Sequence, residues 1–274
     1  MSPTRFRLGT SSWSAKGWVG PFYPPGTPPR GFLAHYAEHF TTVEADVTYY
    51  RMPDRKLVAG WKSAVPDGFQ VSAKFPRTIV HAGDGPRPDA DTVLVWERVG
   101  GDALEFVERM SALEGNLGPL VLQFPYFNQR AFPSVEPFLE RLDGFLERLS
   151  PVPRLAVEVR NKHWVDTPLL DLLRARGVAL VLVDLAYMPH PAEFQQRFDL
   201  VTTDFVYCRL IGDRQAVEAH TKTFDRIVVD RSDRLERWAA FLKDLQGVPE
   251  AYVYANNHFA GHGPATVRAL ERLL

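Results

Sequence analysis

Short apolar runs recur along the chain and alternate with segments of helical periodicity. The runs are rich in Val, Ile, Leu, Phe and Tyr and carry turn residues at their ends, which is typical of buried β-strands. Eight strands are predicted, near residues 6–10, 43–49, 69–75, 118–124, 154–160, 178–184, 205–211 and 250–256. Segments such as 134–149 and 233–247 space apolar residues three or four apart, which predicts helices on the returns.

Eight strands with helical or irregular returns predict an α/β protein, a (β/α)8 TIM barrel. Nearly continuous apolar runs are typical of parallel strands buried on both faces. The alternative is an open doubly wound sheet, which usually has a G-x-G-x-x-G turn after its first strand. The segment "GTSSWSAKGWVG" lacks that spacing. We therefore predict one TIM-barrel domain over residues 1–274.

Composition narrows the function classes. The chain has 274 residues, 45% of them hydrophobic, and a net charge of −1, so no global charge favours nucleic acid or an anionic membrane. The single cysteine, Cys208, excludes an internal disulfide framework and a cysteine-rich metal site. No signal peptide and no apolar run of about 18 residues is present, so we expect a cytoplasmic protein without a membrane partner.

Charged residues occur inside the predicted strands. In "LAVEVRNKHW" (155–164), Glu158 and Arg160 are two apart and therefore share one face of the fifth strand. The other strands also have polar side chains on one face, which we expect to point into the barrel at its C-terminal end: Glu44, Asp46, Lys74, Gln123, Asp184, Arg209 and Asn256. Interior ion pairs, such as Glu158 with Arg160 or Glu44 with Lys74, are the structural alternative.

These side chains predict a cleft with catalytic and binding groups. The candidate catalytic acids or bases are Glu44, Asp46, Glu158 and Asp184. The candidate ligand-binding residues, a mixture of basic, amide and aromatic groups, are Lys74, Arg160, Arg209, Gln123, Asn256, Asn257, His258, Trp13, Tyr49, His81, Trp164, Gly261 and Gly263. Basic and aromatic groups together favour an anionic ligand with a flat or sugar-like part.

The glycines precede the last predicted helix, where free N–H groups would bind a phosphate. A tight turn with a helix cap is the structural alternative at Gly261 and Gly263.

Several motifs together resemble one known family. They are "LGTSSW", "FYPPG", "FLAHYAEHFTTVEADVTYYRMP", "LGPLVLQFP", "VEVRNKHW", "FVYCRLIG" and "YVYANNHFAGHGPATV". In this order they resemble the YecE-like family, domain of unknown function 72, from about residue 7 to the end. The resemblance implies a TIM barrel and no established activity. The family pattern in strand two is V-E-x-N, and this chain departs from it by having Asp46 at the Asn position.

Three functions remain open. The favoured one is a metal-independent acid–base enzyme, with hydrolysis as the candidate reaction, that acts on an anionic or phosphate-bearing small molecule and needs no cofactor. The second is a metal-dependent hydrolase or isomerase. Its candidate ligands are Glu44, Asp46, Glu158, Asp184 and His258, although no H-E-x-x-H or comparable cluster is identified.

The third is a nucleic-acid-binding barrel that resembles barrel endonucleases in shape. Arginines would contact phosphates in it, and aromatic residues would stack on bases: Trp13, Trp18, Phe127 and Trp164. The net charge of −1 makes this the weaker alternative, since nucleic-acid affinity depends on neutralising phosphates.

Overall fold

The computed structural model describes residues 3–82, 87–149, 152, 154–245 and 247–274. Eight parallel strands form a nearly closed barrel with helices on the returns, which confirms the predicted (β/α)8 fold. The strands are β1 Arg5–Thr10, β2 Thr42–Ala45, β3 Gln70–Lys74, β4 Leu117–Gln123, β5 Leu155–Glu158, β6 Ala179–Leu185, β7 Phe205–Gly212 and β8 Glu250–Ala255. They are hydrogen-bonded in the order β1-β8-β7-β6-β5-β4-β3-β2.

The α-helices of the described residues surround this barrel. They are α1 Phe32–Ala37, α2 Val47–Tyr50, α3 Arg55–Ala64, α4 Trp96–Ser111, α5 Glu136–Leu149, α6 Thr167–Arg176, α7 Pro191–Phe194, α8 Arg214–Glu218, α9 Ser232–Lys243, α10 Asn257–Ala260 and α11 Gly263–Glu271. Amphipathic helices such as α4 and α5 bury their apolar side against the strands. Among the described residues, no helix has the length and apolarity needed to cross a bilayer.

Strand β2 is shorter than predicted. It ends at Ala45, and the next residues form the one-turn helix α2. The Thr48 hydroxyl explains the early end, since its Oγ1 lies 2.9 Å from the Ala45 carbonyl oxygen and 2.7 Å from the Lys74 carbonyl oxygen. Strand β5 also ends early, at Glu158, which leaves Arg160 on the following segment.

The barrel interior is filled by small apolar residues and by tyrosines. One buried cluster contains Val121, Ala156, Ala179, Val181, Phe205, Tyr207, Tyr252 and Tyr254. The Tyr254 hydroxyl lies 2.7 Å from both Thr42 Oγ1 and Ser72 Oγ. These bonds link β8 to β2 and β3, so buried phenol groups keep hydrogen-bond partners inside the barrel.

The seam between β1 and β2 depends on a glycine. A Cβ atom on Gly9 would lie 2.1 Å from the Thr42 carbonyl oxygen, far inside van der Waals contact. Only glycine lets the two backbones approach this closely, which brings the first strand beside the second and nearly closes the barrel.

Ionic contacts cover the N-terminal end of the barrel. Glu250 accepts hydrogen bonds from Arg7 and Arg154 and, at 2.8 Å, from the Tyr252 hydroxyl. Burial tends to raise the pKa of Glu250, but the two arginines and Tyr252 outweigh it and lower that pKa. Polar groups at this end of a TIM barrel are typical of stabilising contacts, whereas chemistry is found at the other end.

Candidate functional site

A polar cleft of about 510 Å³ opens at the C-terminal ends of the strands. Its walls come from the last strand residues and from the segments that follow them. The lining residues are Asp46, Tyr49, Tyr50, Lys74, Gln123, Arg160, Leu185, Ala186, Tyr187, Arg209, Ile211, Gly212, Asp213, Arg214, Gln215, Asn256 and His258. Four are cationic and two are carboxylates, and chemistry in TIM barrels gathers at this face.

The floor of the cleft is built around Arg209, which is buried on β7. Its guanidinium donates to Glu44 Oε1 at 2.8 Å, to Gln123 Oε1 at 2.7 Å and to Glu158 Oε2 at 2.5 Å. The other oxygen of Glu44 accepts from the Tyr207 hydroxyl at 2.8 Å. Both glutamates are fully buried, so the floor is an ion network with its polar atoms satisfied.

Arg160 extends this network to the cleft surface. Its Nε donates to Glu158 Oε1 at 3.1 Å, and 27% of its side chain is exposed. Burial tends to raise the pKa of Glu158, yet the charges of Arg209 and Arg160 outweigh it and lower that pKa. Glu158 is therefore a carboxylate at neutral pH. The predicted ion pair of Glu158 with Arg160 is present, and it also forms part of the cleft.

A second ion pair lies beside the first. Lys74 Nζ contacts a carboxylate oxygen of Asp46 and lies 3.4 Å from Gln123 Oε1. The ammonium also lies 4.9 Å from the centre of the Tyr49 ring, at cation–π distance. The Asp46 side chain is 30% exposed, so its carboxylate meets both solvent and Lys74. The alternative pairing of Lys74 with Glu44 is not the one formed.

The segment that follows β8 presents an amide and an imidazole to the cleft, Asn256 and His258. The Asn256 side chain accepts a hydrogen bond from the His258 backbone N–H at 2.9 Å and so caps α10. His258 Nε2 lies 3.1 Å from Glu218 Oε1. Burial lowers the pKa of His258 although Glu218 opposes the shift. His258 lines the cleft as a hydrogen-bonding group.

The structure places Asp184 outside this site. Its carboxylate accepts from Arg234 Nε at 2.7 Å and from Trp238 Nε1 at 2.6 Å, both on α9. Inward residues of β6 are Ala179 and Val181, so Asp184 lies on the outer face of its strand. The prediction that Asp184 points into the barrel is wrong. Because β6 is apolar on both faces, its sequence pattern does not show which face points inward.

The glycine turn before the last helix is also filled by the protein's own groups. Asn257 Oδ1 accepts from the Gly263 N–H at 2.9 Å and from Trp18 Nε1 at 3.2 Å. The His262 side chain accepts from the Ala265 N–H at 3.2 Å and caps α11. Gly261 takes a positive φ of 114° in the turn. The expectation of free N–H groups at Gly261 and Gly263 is therefore wrong, and the capped-turn alternative is the structure formed.

Most of the predicted aromatic residues pack internally. Trp18 and Phe127 are almost fully buried. Trp13 packs edge-on against Trp61 at 5.5 Å, and Trp164 packs against Phe138 at 4.7 Å between ring centres. Trp18 and Phe127 are thus used in internal packing, whereas Trp13 and Trp164 are partly buried.

Tyr49 is the predicted aromatic residue that lines the cleft, with His81 packed edge-on behind it at 6.3 Å. Two further aromatics line the cleft that the sequence analysis did not identify, Tyr50 and Tyr187, which are 72% and 54% exposed. The sequence feature that could have identified these two tyrosines is their position shortly after the predicted ends of strands two and six.

The candidate metal ligands do not converge. Asp46 and His258 line the cleft, Glu44 and Glu158 are bonded to arginine below it, and Asp184 faces α9. Among the described residues, the group whose ligand atoms lie close enough for one ion consists of His35, Glu38 and His39, near α1. The cleft geometry thus favours binding through hydrogen bonds and charge.

Comparisons with a family model and with curated proteins point to one family. The family model described as "Protein of unknown function DUF72" matches residues 7–274. The UPF0759 protein YecE of Escherichia coli (strain K12) is 31% identical over 183 residues, or 65% of this chain and 58% of that protein. The match therefore spans less than two thirds of the length of this curated relative.

Solved structures are similar over nearly the whole chain. A DUF72 family protein from Thermotoga maritima MSB8 has a TM-score of 0.68 at 25% identity, covering 97% of this chain and 96% of that one. A DUF72 family protein from Enterococcus faecalis V583 has a TM-score of 0.70 at 21% identity, covering 98% and 95% of the two chains. The second likeness shows the barrel fold alone.

Proposed function

The chain belongs to the DUF72 family of proteins of unknown function, and we propose that its cleft binds an anionic small molecule and performs acid–base chemistry on it. The observation that carries this proposal is the position of Arg160. Its Nε is held by the buried carboxylate of Glu158, and its terminal nitrogens have no hydrogen-bond partner among the described residues. A guanidinium fixed in this way offers paired donors to a carboxylate or phosphate.

Lys74 supplies the second positive charge. It lies at the strand end beside Gln123, and Asp46 is its partner. An incoming anion competes with Asp46 for the ammonium, so binding places the Asp46 carboxylate next to the ligand. Of the two carboxylates that line the cleft, Asp213 already caps α8 through its contact with the Ala216 N–H. Asp46 is therefore our candidate for the group that exchanges protons with the ligand.

Glu44 and Glu158 have a different role in this proposal. Both are buried and bonded to Arg209, and the lowered pKa of Glu158 makes it a poor proton donor at neutral pH. We assign them as positioning residues that fix the two arginines. A rigid charged floor favours binding because its side chains lose little conformational entropy when the ligand arrives.

Tyr50 and Tyr187 indicate a second feature of the preferred ligand, a ring beside its anionic group. Their exposed rings line the same cleft as the cations. Exposed aromatic faces stack on flat or sugar-like groups, so the preferred ligand combines an anionic group with a ring.

A binding experiment tests the proposal. Phenyl phosphate and inorganic phosphate are titrated into the full chain by calorimetry at low ionic strength. We expect both to bind, with phenyl phosphate tighter because its ring contacts the tyrosines. The Arg160→Gln variant should bind at least about tenfold more weakly, since it loses the paired donors. Arg98→Gln, which changes an exposed arginine on α4, is the matched control and should bind like the unchanged protein.

Two results would count against the proposal. One is binding of neither probe at millimolar concentration by the unchanged protein. The other is equal weakening in Arg160→Gln and Arg98→Gln, which would indicate diffuse attraction by surface charge. Circular dichroism of each variant ensures that a loss of affinity is not a loss of folding.

A further inference from the structure

A second cluster of chemically active side chains lies outside the cleft, on and after α1. The sequence "HYAEH" at 35–39 has the spacing H-x-x-E-H, which is the reverse of H-E-x-x-H and also occurs in zinc enzymes. Positions i and i+4 of a helical segment share one face, so the two imidazoles meet there. This motif lies apart from the candidate metal ligands predicted at the barrel mouth, and none of its residues lines the cleft.

The distances within the cluster suit a metal ion. His35 Nε2 and His39 Nε2 are 3.2 Å apart. Two Zn–N bonds of about 2.0–2.1 Å at a tetrahedral angle place their nitrogen atoms roughly 3.3 Å apart. The Glu38 carboxylate lies 3.4 Å from His35 Nδ1, and one potential ligand atom from each of the three residues lies within 4.8 Å of the others.

Aromatic packing holds the imidazoles in place. The Phe22 ring lies 5.8 Å from the His35 ring and 5.3 Å from the His39 ring, measured between centres. The Tyr23 ring also packs against the His35 ring, with 5.7 Å between ring centres. Ligands held by neighbouring rings lose less rotamer freedom when a metal binds, and orientation of this kind raises metal affinity. Glu38 remains exposed, so an ion has access from solvent.

The cluster lies at the end of the barrel opposite the cleft. His35 lies in the last turn of α1, Glu38 and His39 follow that helix, and β2 begins at Thr42. The start of a strand is at the N-terminal face, whereas the cleft lies at the C-terminal ends of the strands. A site in this place is independent of the proposed anion chemistry and is suited to a structural or regulatory role.

We propose that His35, Glu38 and His39 form a binding site for a divalent transition-metal ion such as Zn²⁺. One nitrogen of each imidazole and one Glu38 oxygen supply three ligands, and water completes the tetrahedron. Imidazole and carboxylate together suit Zn²⁺, Co²⁺, Ni²⁺ and Cu²⁺ better than Mg²⁺ or Ca²⁺. A bound ion links the end of α1 to the segment before β2, and through Phe22 it orders the neighbouring N-terminal loop.

Cobalt substitution tests the site directly. The full chain is freed of metal with a chelator and titrated with Co²⁺, whose tetrahedral complexes absorb visible light. We expect one equivalent of Co²⁺ to give this spectrum and Zn²⁺ to displace it. Zn²⁺ should also raise the melting temperature, since an ion that binds the folded state alone stabilises it.

Three variants separate this site from adventitious binding. His39→Ala should lose the spectrum and the zinc-dependent rise in melting temperature, while Glu38→Gln should weaken binding by about tenfold or more. His220→Ala is the matched control, because His220 is also exposed, and it should behave like the unchanged protein. An absent spectrum in the unchanged protein would mean that the imidazoles share only a hydrogen bond. An unaltered spectrum in His39→Ala would equally overturn the site.

Discussion

Arg209 on β7 donates a hydrogen bond to Glu158 on β5 through the barrel interior, with 2.5 Å between Nη1 and Oε2. The same guanidinium binds Glu44 on β2 and Gln123 on β4. One buried arginine thus connects four strands and supports the floor of the cleft. A charge in this place persists because its partners neutralise it and its donors are used.

Replacing Arg209 by Met should destabilise the fold strongly. The substitution leaves the buried carboxylates of Glu44 and Glu158 without their main partner, which costs about 3–5 kcal/mol of unfolding free energy. Urea denaturation monitored by circular dichroism measures this cost. Glu44→Gln is the comparison, because the amide oxygen can still accept from Arg209 while the amide NH2 donates to the Tyr207 hydroxyl oxygen, and it should cost less. A loss below about 1 kcal/mol in Arg209→Met would contradict the network's role.

Gly9→Ala should disturb the seam between β1 and β2. Its Cβ would lie 2.1 Å from the Thr42 carbonyl oxygen, so one of two packed backbones must move. We expect a loss of more than about 3 kcal/mol of unfolding free energy, or failure to fold.

Gly60→Ala is the matched control for this prediction. Gly60 lies inside α3 and a Cβ there meets nothing within 4 Å. Alanine should stabilise that helix by about 0.5–1 kcal/mol, because it is the better helix former. Equal and small effects at the two positions would show that the barrel seam tolerates a side chain.

His190 should make the protein less stable in mild acid. Its Nδ1 accepts the Ala192 N–H at 3.2 Å and caps α7, which requires an unprotonated ring nitrogen. Burial and, to a smaller extent, Arg237 lower its pKa from 6.5 to about 4. The unfolded chain therefore binds more protons between these values, so this stability is present above pH 6.5 and is lost as the pH falls toward 4.

The variant His190→Asn isolates that contribution. Asparagine keeps a capping acceptor and does not titrate, so the pH dependence of unfolding should flatten by an amount on the order of 3 kcal/mol across this range. Denaturant titrations at a series of pH values provide the measurement. His220→Asn, at an exposed position, should keep the original slope. If His190→Asn also keeps it, His190 is not the group responsible.

Asp46→Asn should strengthen anion binding. The carboxylate competes with the ligand for Lys74, so its removal frees that positive charge. Phosphate affinity is expected to rise roughly tenfold, which corresponds to about 1.4 kcal/mol. Calorimetry with phosphate measures the change, with exposed Asp67→Asn as the control. Weaker binding in Asp46→Asn would mean that the Asp46 carboxylate orients Lys74 rather than competing with the ligand.

The sequence predicts the barrel and part of its site for a clear physical reason. Period-two alternation in β3, β5 and β7 separates one apolar face from one polar face, so Lys74, Glu158 and Arg209 are placed correctly inside. Strand β6 is apolar on both faces, so its sequence does not distinguish the inner face from the outer one. Asp184 was therefore predicted on the inner face although it lies on the outer face.

Other features depend on contacts between distant segments. Helix α2 forms because Thr48 bonds to the end of β3, and this turn brings Asp46 and Tyr49 to the cleft. The final turn is closed by Asn257 and His262, side chains whose partners are not evident from spacing. Local patterns do not encode such tertiary hydrogen bonds, and they decide where individual site residues lie.

The most direct test of the central claim locates an anion within the cleft. Crystals of the protein grown or soaked in selenate give an anomalous signal that marks the ion's position. We predict a peak within hydrogen-bond distance of the terminal nitrogens of Arg160, on the side toward Lys74, that disappears in Arg160→Gln. Selenate bound only elsewhere on the surface, with the Arg160 guanidinium left in contact with solvent, would contradict an anion-binding function for this cleft.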